Sequence, residues 1–295
     1  MTRFKFKGSR MKDLIRLVLV FTISMAIFIS VTNGCSGDES ILRVKDGKKI
    51  SFDQMIREIR DKKIILIGEY HNDPQHHKFQ LRVIRALYEH GISIAVGLEM
   101  FRANNQKELD RWVSGDVPLK TFLSLYYHNW NFPWPLYEDI FLFCRDKRIP
   151  LIGLNVPSEI TSKVAERGFS SLTKAELAQL PPNITCNVDQ KYMESIRRAY
   201  EFHDTGEKFV NFCEAQLTWD NAMALHTLNY LQGHSRYTLV ILTGITHAWK
   251  RAIPEQIKRL GSSYSVSVIL PEAADKSQRK KVTADEADYL VHIIP

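Results

Sequence analysis

A stretch in the first third of the chain, residues 63–80, constrains the fold more than any other. Residues 64–67 are an uninterrupted apolar run rich in β-branched side chains, typical of a strand buried on both faces of a parallel sheet. Polar residues follow at 69–73, and Asp73-Pro74 is a typical helix start, with a capping aspartate before a first-turn proline. The polar cluster is therefore predicted at the carboxyl end of a strand, where open α/β sheets bind ligands.

Strand and helix patterns alternate along most of the chain after this point. Further strands are predicted at 92–98, 151–154, 237–242 and 264–270, with a possible edge strand at 285–295. A mainly helical block at 169–232 interrupts the alternation and is interpreted as a helical insertion or cap. The pattern predicts an α/β fold with an open, mostly parallel sheet and helices on both faces.

The N-terminus has the features of an export signal. Residues 1–16 carry six basic side chains and one acidic one, and residues 17–31 are apolar and uncharged. Cys35 follows directly after a glycine, as at a bacterial lipoprotein processing site, which predicts a signal peptide over 1–35 and a lipid anchor on Cys35. An ordinary cleaved signal and an uncleaved membrane helix are the alternatives. Residues 36–50 are predicted to be a tether that includes a hairpin turn at Asp46-Gly47, and residues 51–295 the domain.

Charge and cysteine content exclude some classes of protein. The formal net charge is +7, but the leader accounts for +5 of it, which leaves +2 and gives little support to nucleic-acid binding. Besides Cys35 the chain has Cys144, Cys186 and Cys213, whose wide spacing matches no metal motif and allows at most one disulfide. Serine-hydrolase, P-loop and dinucleotide-binding signatures are also absent from the sequence.

Imidazole and carboxylate side chains follow three of the predicted strands. Because carboxyl ends of parallel strands share one edge of a sheet, these residues are predicted to lie together: Glu69, His71, Glu99 and His247. Such a set suits either a divalent metal ion or general acid–base chemistry. Neighbouring helix positions point about 100° apart, so His76 and His77 are not expected to share one ion, and either one can serve to orient the loop instead.

A segment dense in aromatic residues and prolines covers residues 128–137. Such a loop can form the floor or lid of a site for a flat, apolar ligand. Composition alone equally allows a hydrophobic loop packed over the sheet.

These residues resemble the motifs of the ChaN-type haem-binding lipoproteins. Residues 68–80 are similar to that family's GE-x-H-x-x-P-x-HH-x-x-Q signature, and the likeness continues at 97–101, 130–137, 153–157, 214–220 and His247. It covers about residues 61–270. The family usually has Gly-Asn-Gly-His where this chain has Gly-Ile-Thr-His at 244–247, so the histidine is kept and the tight glycine turn is not.

The resemblance implies a lipid-anchored envelope protein of a bacterium, on the periplasmic side and at the outer membrane, that serves haem or iron uptake or storage. It implies haem bound cofacially between two protomers, iron held by a tyrosinate, and contact with haem-uptake machinery. Tyr70, Tyr127 and Tyr137 are the candidate ligands; Trp130, Phe132 and Trp134 would stack on the porphyrin, and Arg102 would pair with propionates. The full candidate haem-contacting set is Tyr70, His71, His76, His77, Arg102, Tyr127, Trp130, Trp134 and Tyr137.

The same resemblance extends to the TIKI/TraB and erythromycin-esterase-like proteins, which implies a second function. In that interpretation the protein is a metal-dependent hydrolase in which Glu69, His71, Glu99 and His247 hold a divalent ion or activate water. A third interpretation makes these residues a structural polar network in an envelope scaffold. The sequence favours a binding protein over an enzyme.

Overall fold

The structure is a computed structural model that describes residues 40–200, 206–272 and 282–293. The predicted signal peptide, Cys35 and the first residues of the predicted tether lie outside the described residues. Residues 39–295 form one compact unit. Within the described part of the chain, every helix is too short or too polar to cross a membrane.

One mixed sheet of eight strands organises the described residues. Its spatial order is β2-β1-β8-β7-β3-β6-β4-β5. All neighbours from β8 to β5 are parallel, and β1 is antiparallel to both β2 and β8. This arrangement confirms the predicted α/β fold with a mostly parallel sheet. The strands are β1 Ser40–Arg43, β2 Lys48–Ile50, β3 Ile64–Glu69, β4 Ile94–Arg102, β5 Leu151–Asn155, β6 Thr238–Gly244, β7 Val266–Pro271 and β8 Tyr289–His292.

The central strand β3 explains why the apolar run at 64–67 is continuous. Ile65 and Ile67 belong to the hydrophobic core on one face of the sheet, and Ile64 and Leu66 to the core on the other. Successive strand residues point to opposite faces, so a strand covered on both sides requires apolar residues at every position.

Helices cover both faces of the sheet. They are α1 Phe52–Ile59, α2 Pro74–Glu89, α3 Gln106–Ser114, α4 Leu119–Asn129, α5 Glu138–Asp146, α6 Ser158–Arg167, α7 Lys174–Leu177, α8 Gln190–Tyr200, α9 Glu207–Gly233, α10 Ile245–Ala248 and α11 Ile253–Arg259, with single 3₁₀ turns at Ala103–Asn105, Trp134–Leu136 and Phe169–Ser171. On the β3 face that carries Ile65 and Ile67 lie α1 to α5, and α9 to α11 contribute to the opposite core. Asp73 caps α2 by accepting a hydrogen bond from the Gln75 N–H at 2.8 Å, and Pro74 occupies its first turn, as predicted.

The ends of the sheet differ from the sequence-based expectation. The hairpin turn predicted at Asp46-Gly47 is present, with Gly47 at φ +68°. The residues around it, predicted as a tether, belong to the sheet as the β1–β2 hairpin, and Ile41 is buried in the core. The tail strand β8 was expected at an edge but lies between β1 and β7. Strand β1 of the hairpin pairs with the outer side of β8. Local sequence patterns do not reveal such a pairing between the two ends of the chain.

Two further differences bear on the site. Strand β4 continues to Arg102, so Glu99 lies inside the strand rather than beyond its end. Within the block 169–232 that the sequence predicts to be an insertion or cap, helix α9 packs against α6, α11 and β5. It is thus the crossover between β5 and β6, and it delivers polar side chains to the carboxyl edge of the sheet.

Candidate functional site

The carboxyl ends of β3, β6 and β4 lie side by side and form the base of the candidate site. Glu69 on β3 is in register with Gly244 on β6, and Leu98 on β4 with Leu242 on β6. Glu99, which follows Leu98, therefore lies beside the carboxyl end of β6. Strand β6 separates it from Glu69 on β3. The sheet brings the predicted polar residues to one edge, as the strand-end argument required.

Glu69 is a buried carboxylate with a nearly complete set of partners. Its Oε1 accepts hydrogen bonds from the Tyr137 hydroxyl at 2.5 Å and from His71 Nδ1 at 2.8 Å, and its Oε2 accepts one from Gln80 Nε2 at 2.7 Å. Burial raises the pKa of Glu69, but the neighbouring imidazoles of His71 and His77 lower the pKa by more than burial raises it. The pKa of Glu69 therefore lies well below its usual value. Glu69 is therefore ionised, and it fixes the orientation of His71.

Glu99 is the second buried carboxylate, held by β6. Its Oε2 accepts hydrogen bonds from the Thr243 hydroxyl at 2.5 Å and from the Gly244 N–H at 2.6 Å. Its Oε1 lies 3.8 Å from His247 Nε2. One carboxylate oxygen is thus anchored, and the other faces the histidine.

His247 is clamped between Glu99 and a carboxylate from α9. Its Nδ1 lies 2.7 Å from Asp220 Oδ1, and the Tyr192 hydroxyl donates to Asp220 Oδ2 at 2.6 Å. Burial lowers the pKa of His247, but Glu99 and Asp220 raise it more, to about 9. The imidazole is therefore protonated at neutral pH, with Nδ1–H donated to Asp220.

His71 connects the Glu69 group to the Glu99 group. A Cβ atom at Gly244 would lie 3.1 Å from both Cε1 and Nε2 of His71 and 3.7 Å from Glu99 Oε2. The His71 ring thus packs over the bare backbone of Gly244. Burial lowers the pKa of His71, but Glu69 and Glu99 raise it more, so the pKa lies above its usual value.

The double histidine has a supporting role in this geometry. His76 Nδ1 accepts the Tyr70 N–H at 3.0 Å, which fixes the loop after β3, and burial lowers the pKa of His76. His77 is 2% exposed and packs on the Tyr137 ring at a centroid distance of 4.1 Å. Within the described residues neither ring nitrogen of His77 makes a hydrogen bond, although Nε2 lies 3.4 Å from Glu69 Oε2.

The three candidate tyrosines differ sharply in exposure. Tyr137 is fully buried, and its hydroxyl is committed to Glu69. Tyr70 is 39% exposed and Tyr127 is 51% exposed. The Tyr127 oxygen accepts the Trp134 N–H at 3.1 Å, whereas among the described residues the Tyr70 hydroxyl has no hydrogen-bond partner.

The aromatic loop divides into an inner and an outer part. Trp134 is buried in the core. Trp130 and Phe132 are half-buried and contact the His71 ring at centroid distances of 4.9 and 5.0 Å. Arg102, also half-buried, donates from Nη2 to Ser158 Oγ at 3.2 Å.

Several residues of the site were not identified from the sequence. Asp220 and Gln80 fell within matched motifs without an assigned role, and Tyr192 and Thr243 were not singled out. A carboxylate such as Asp220 within the apolar stretch of α9 is a usable signal, because a buried charge requires a partner. Among the described residues, no group of three or more His, Cys, Asp or Glu side chains is arranged to hold a metal ion.

The fold and the site together define an α/β protein with paired imidazoles and carboxylates at the carboxyl edge of its sheet. The chain belongs to the haem-binding uptake family of the Tiki superfamily, ChaN, whose family model matches residues 55–257. A search of curated proteins found no match.

Solved structures share the fold at low sequence identity. ChaN of Campylobacter jejuni, described with cofacial haem binding, superposes with a TM-score of 0.67 at 20% identity, covering 86% of this chain and 96% of its own. A succinoglycan biosynthesis protein has a TM-score of 0.50 at 12% identity, covering 84% and 92%. A mutant of the erythromycin esterase EreC in its open conformation has a TM-score of 0.48 at 14% identity, covering 79% and 76%.

Proposed function

We propose that this protein binds haem at an outward-facing aromatic patch formed by His71, Trp130 and Phe132, with the iron held by the exposed Tyr70, which precedes His71 in the chain. The observation that carries the proposal is the combination of this patch with an exposed phenol. His71 contacts both Trp130 and Phe132, and Tyr70 precedes it at the same strand end. A flat, apolar porphyrin suits such a surface, since aromatic rings stack on one another in offset or edge-on arrangements. Membership of a haem-binding uptake family supports the same conclusion.

Tyr70 is the residue that we assign as the iron ligand. Its ring is exposed and its hydroxyl is without a hydrogen bond among the described residues, so the hydroxyl can bind iron without breaking an existing hydrogen bond. Tyr127 is the next candidate, because the residue is 51% exposed but its oxygen already accepts the Trp134 backbone N–H. Tyr137 would have to leave the core and abandon the Glu69 carboxylate, which disfavours it.

The surrounding residues prepare the patch for this role. Partial burial raises the pKa of Tyr70, so the free phenol is protonated at neutral pH and must release its proton when it becomes a ligand. Ferric haem supplies a Lewis-acidic iron that a tyrosinate can hold. His76 Nδ1 accepts the backbone N–H of Tyr70 and so fixes the backbone at that residue. Arg102, which is half-buried, offers a guanidinium for a haem propionate.

Dimerisation and membrane attachment are part of the same proposal. A porphyrin bound on an exposed patch has one face against the protein and the other face in solvent. A second copy of the chain with its own haem would cover the solvent-exposed face. The cofacial haem binding described for the ChaN of Campylobacter jejuni supports this arrangement. Lipidation at Cys35 would hold the domain at the periplasmic side of a bacterial envelope, at the outer membrane, where it would receive or deliver haem.

Titration of residues 36–295 with hemin, followed at the Soret band, tests this function. Saturable binding in the wild type, its loss or a shifted spectrum in Tyr70→Phe, and an unchanged result in Tyr88→Phe are expected. Tyr88 is the matched control, since it is also 39% exposed but lies far along α2. Non-saturable partitioning in the wild type would overturn haem binding, and a wild-type spectrum in Tyr70→Phe would overturn the ligand assignment.

A second candidate function is acid–base hydrolysis, favoured by one observation. Two imidazole–carboxylate pairs, His71 with Glu69 and His247 with Asp220, converge on Glu99. Such pairs set the tautomer and charge of an imidazole that transfers protons. Ester hydrolysis that is abolished in both Glu99→Gln and His247→Asn would support it, and activity retained in either variant would count against it.

Hydrolysis that depends on a bound metal ion stays a prediction. It requires Glu69, His71, Glu99 and His247 to bind an ion together. Metal analysis of protein purified without added metal tests it, with His71→Ala and His247→Ala as comparisons. Unchanged metal content in both variants would contradict the metal site.

A further inference from the structure

A basic cavity lies along α8, between that helix and Arg251. It has a volume of about 540 Å³ and is lined by Lys191, Glu194, Ser195, Arg197, Arg198 and Arg251. Four of these side chains are cationic and one is a carboxylate. The lining side chains therefore carry a formal charge of +3, which exceeds the net charge of +2 on the chain without residues 1–16.

Within the part of the chain that the structure describes, the cations of this cavity differ in the partners that they have. Among the described residues, Lys191 and Arg251 have no ion-pair partner. Arg197 lies over the Phe209 ring with Cζ 4.6 Å from its centroid, and this contact leaves the edge of the guanidinium available for hydrogen bonds. Arg198 pairs with Glu286 at 3.3 Å.

A neighbouring cavity contains an arginine that is paired with carboxylates. That cavity, of about 630 Å³, shares Lys191, Glu194 and Arg251 with the first and also contains Arg259. Arg259 is paired with both Asp189 and Glu255. Like charges gathered in one concavity repel each other and destabilise the fold unless a counter-charge is present. The first cavity, in contrast, is lined by four cationic side chains and one carboxylate, that of Glu194.

We propose that the cavity lined by Lys191, Arg197 and Arg251 binds a phosphate group. The planar guanidinium fork matches phosphate oxygens in a bidentate manner, and the Lys191 ammonium adds a point charge. The phosphate belongs either to a soluble phosphorylated molecule or to a phospholipid headgroup. The site is separate from the aromatic patch and does not depend on haem binding.

Calorimetric titration of residues 36–295 with inorganic phosphate and with pyrophosphate tests the site. Saturable binding is expected, weakened about tenfold in Arg251→Gln and in Lys191→Gln, since each loses a charge-assisted contact. Lys107→Gln, which removes one exposed charge from α3, serves as the matched control and should bind as the wild type does.

Vesicle flotation separates the two sources of phosphate. Binding to vesicles of phosphatidylcholine with phosphatidylglycerol, absent with phosphatidylcholine alone and lost in Arg251→Gln, identifies a lipid headgroup. Binding of the soluble phosphates without flotation identifies a soluble ligand. Absence of binding in both experiments, or equal weakening by Lys107→Gln, would overturn the proposal.

Discussion

His247 Nδ1 lies 2.7 Å from Asp220 Oδ1, and this contact joins α10, the short helix after β6, to the middle of the crossover helix α9. Asp220 also accepts the Tyr192 hydroxyl from α8, so one carboxylate links three elements. The pair has a direct electrostatic consequence, since Asp220 and Glu99 together hold a buried imidazole in its charged form.

Replacing Asp220 with asparagine should lower the pKa of His247 from about 9 toward its ordinary value of 6.5, because a charged acceptor is lost while burial remains. An NMR pH titration of the His247 ring measures this directly. Asp189→Asn, which removes the carboxylate paired with Arg259, is the control and should leave the titration unchanged. An unshifted His247 in Asp220→Asn would show that Glu99 alone sets its charge.

His247 should also make stability depend on pH. Its folded-state pKa of about 9 exceeds the ordinary value of 6.5, so its stabilisation is complete below pH 6.5 and is lost as the pH rises through 9. The loss is at most about 3 kcal/mol in free energy of unfolding. Urea unfolding at the two ends of this range should show a larger drop for the wild type than for His247→Gln. Equal drops would mean that other groups titrate there.

Tyr137→Phe tests the polar network around Glu69. The variant removes the phenol that donates to Glu69 Oε1, and it should cost about 1–3 kcal/mol because a buried charged acceptor loses a partner. Tyr126→Phe is the matched control, since that hydroxyl donates to a neutral carbonyl, Phe132 O, at 3.0 Å. Chemical unfolding should therefore show a smaller loss for Tyr126→Phe, and the reverse order would contradict the role given to Glu69.

Tyr137→Phe should also change the response to acid. The pKa of Glu69 lies well below its ordinary value of 4.5, so its stabilisation is present above pH 4.5 and is lost as the pH falls through the folded-state value. With one donor removed the folded-state pKa rises, and the acid-unfolding midpoint should move to higher pH than in Tyr126→Phe.

Gly244→Ala should disturb His71 rather than the sheet as a whole. The added methyl would lie 3.1 Å from two atoms of the imidazole, so the ring must move away from residue 244. NMR should show a shifted His71 resonance in a folded protein. Gly233→Ala, at a position with open space around the added methyl, should leave His71 where it is. An unmoved His71 in Gly244→Ala would mean that the neighbouring β6 backbone yields instead.

Local chemistry made part of this site predictable. The apolar run before Gly68 and the Asp73-Pro74 start of α2 determine strand, turn and helix from residues adjacent in sequence, and the structure contains all three. The convergence of Glu69, Glu99 and His247 followed from a general property of parallel sheets.

The remaining features depend on contacts between distant parts of the chain. The sequence makes Tyr137 a candidate haem ligand in the 128–137 loop, but the residue is buried in the core, where its hydroxyl donates to Glu69. Asp220 was part of a matched motif, and only the crossing of α9 over the sheet reveals its partner. The position of β8 likewise depends on pairing with β1 at the other end of the chain.

Resonance Raman spectroscopy of the ferric haem complex of residues 36–295 tests the central claim most directly. Vibrations of an iron-bound tyrosinate are expected in the wild type and in Tyr88→Phe, and they should disappear in Tyr70→Phe. Tyrosinate vibrations that persist in Tyr70→Phe and vanish in Tyr127→Phe would show that Tyr127 on α4 is the iron ligand. Their absence from the wild-type complex would contradict tyrosine ligation altogether.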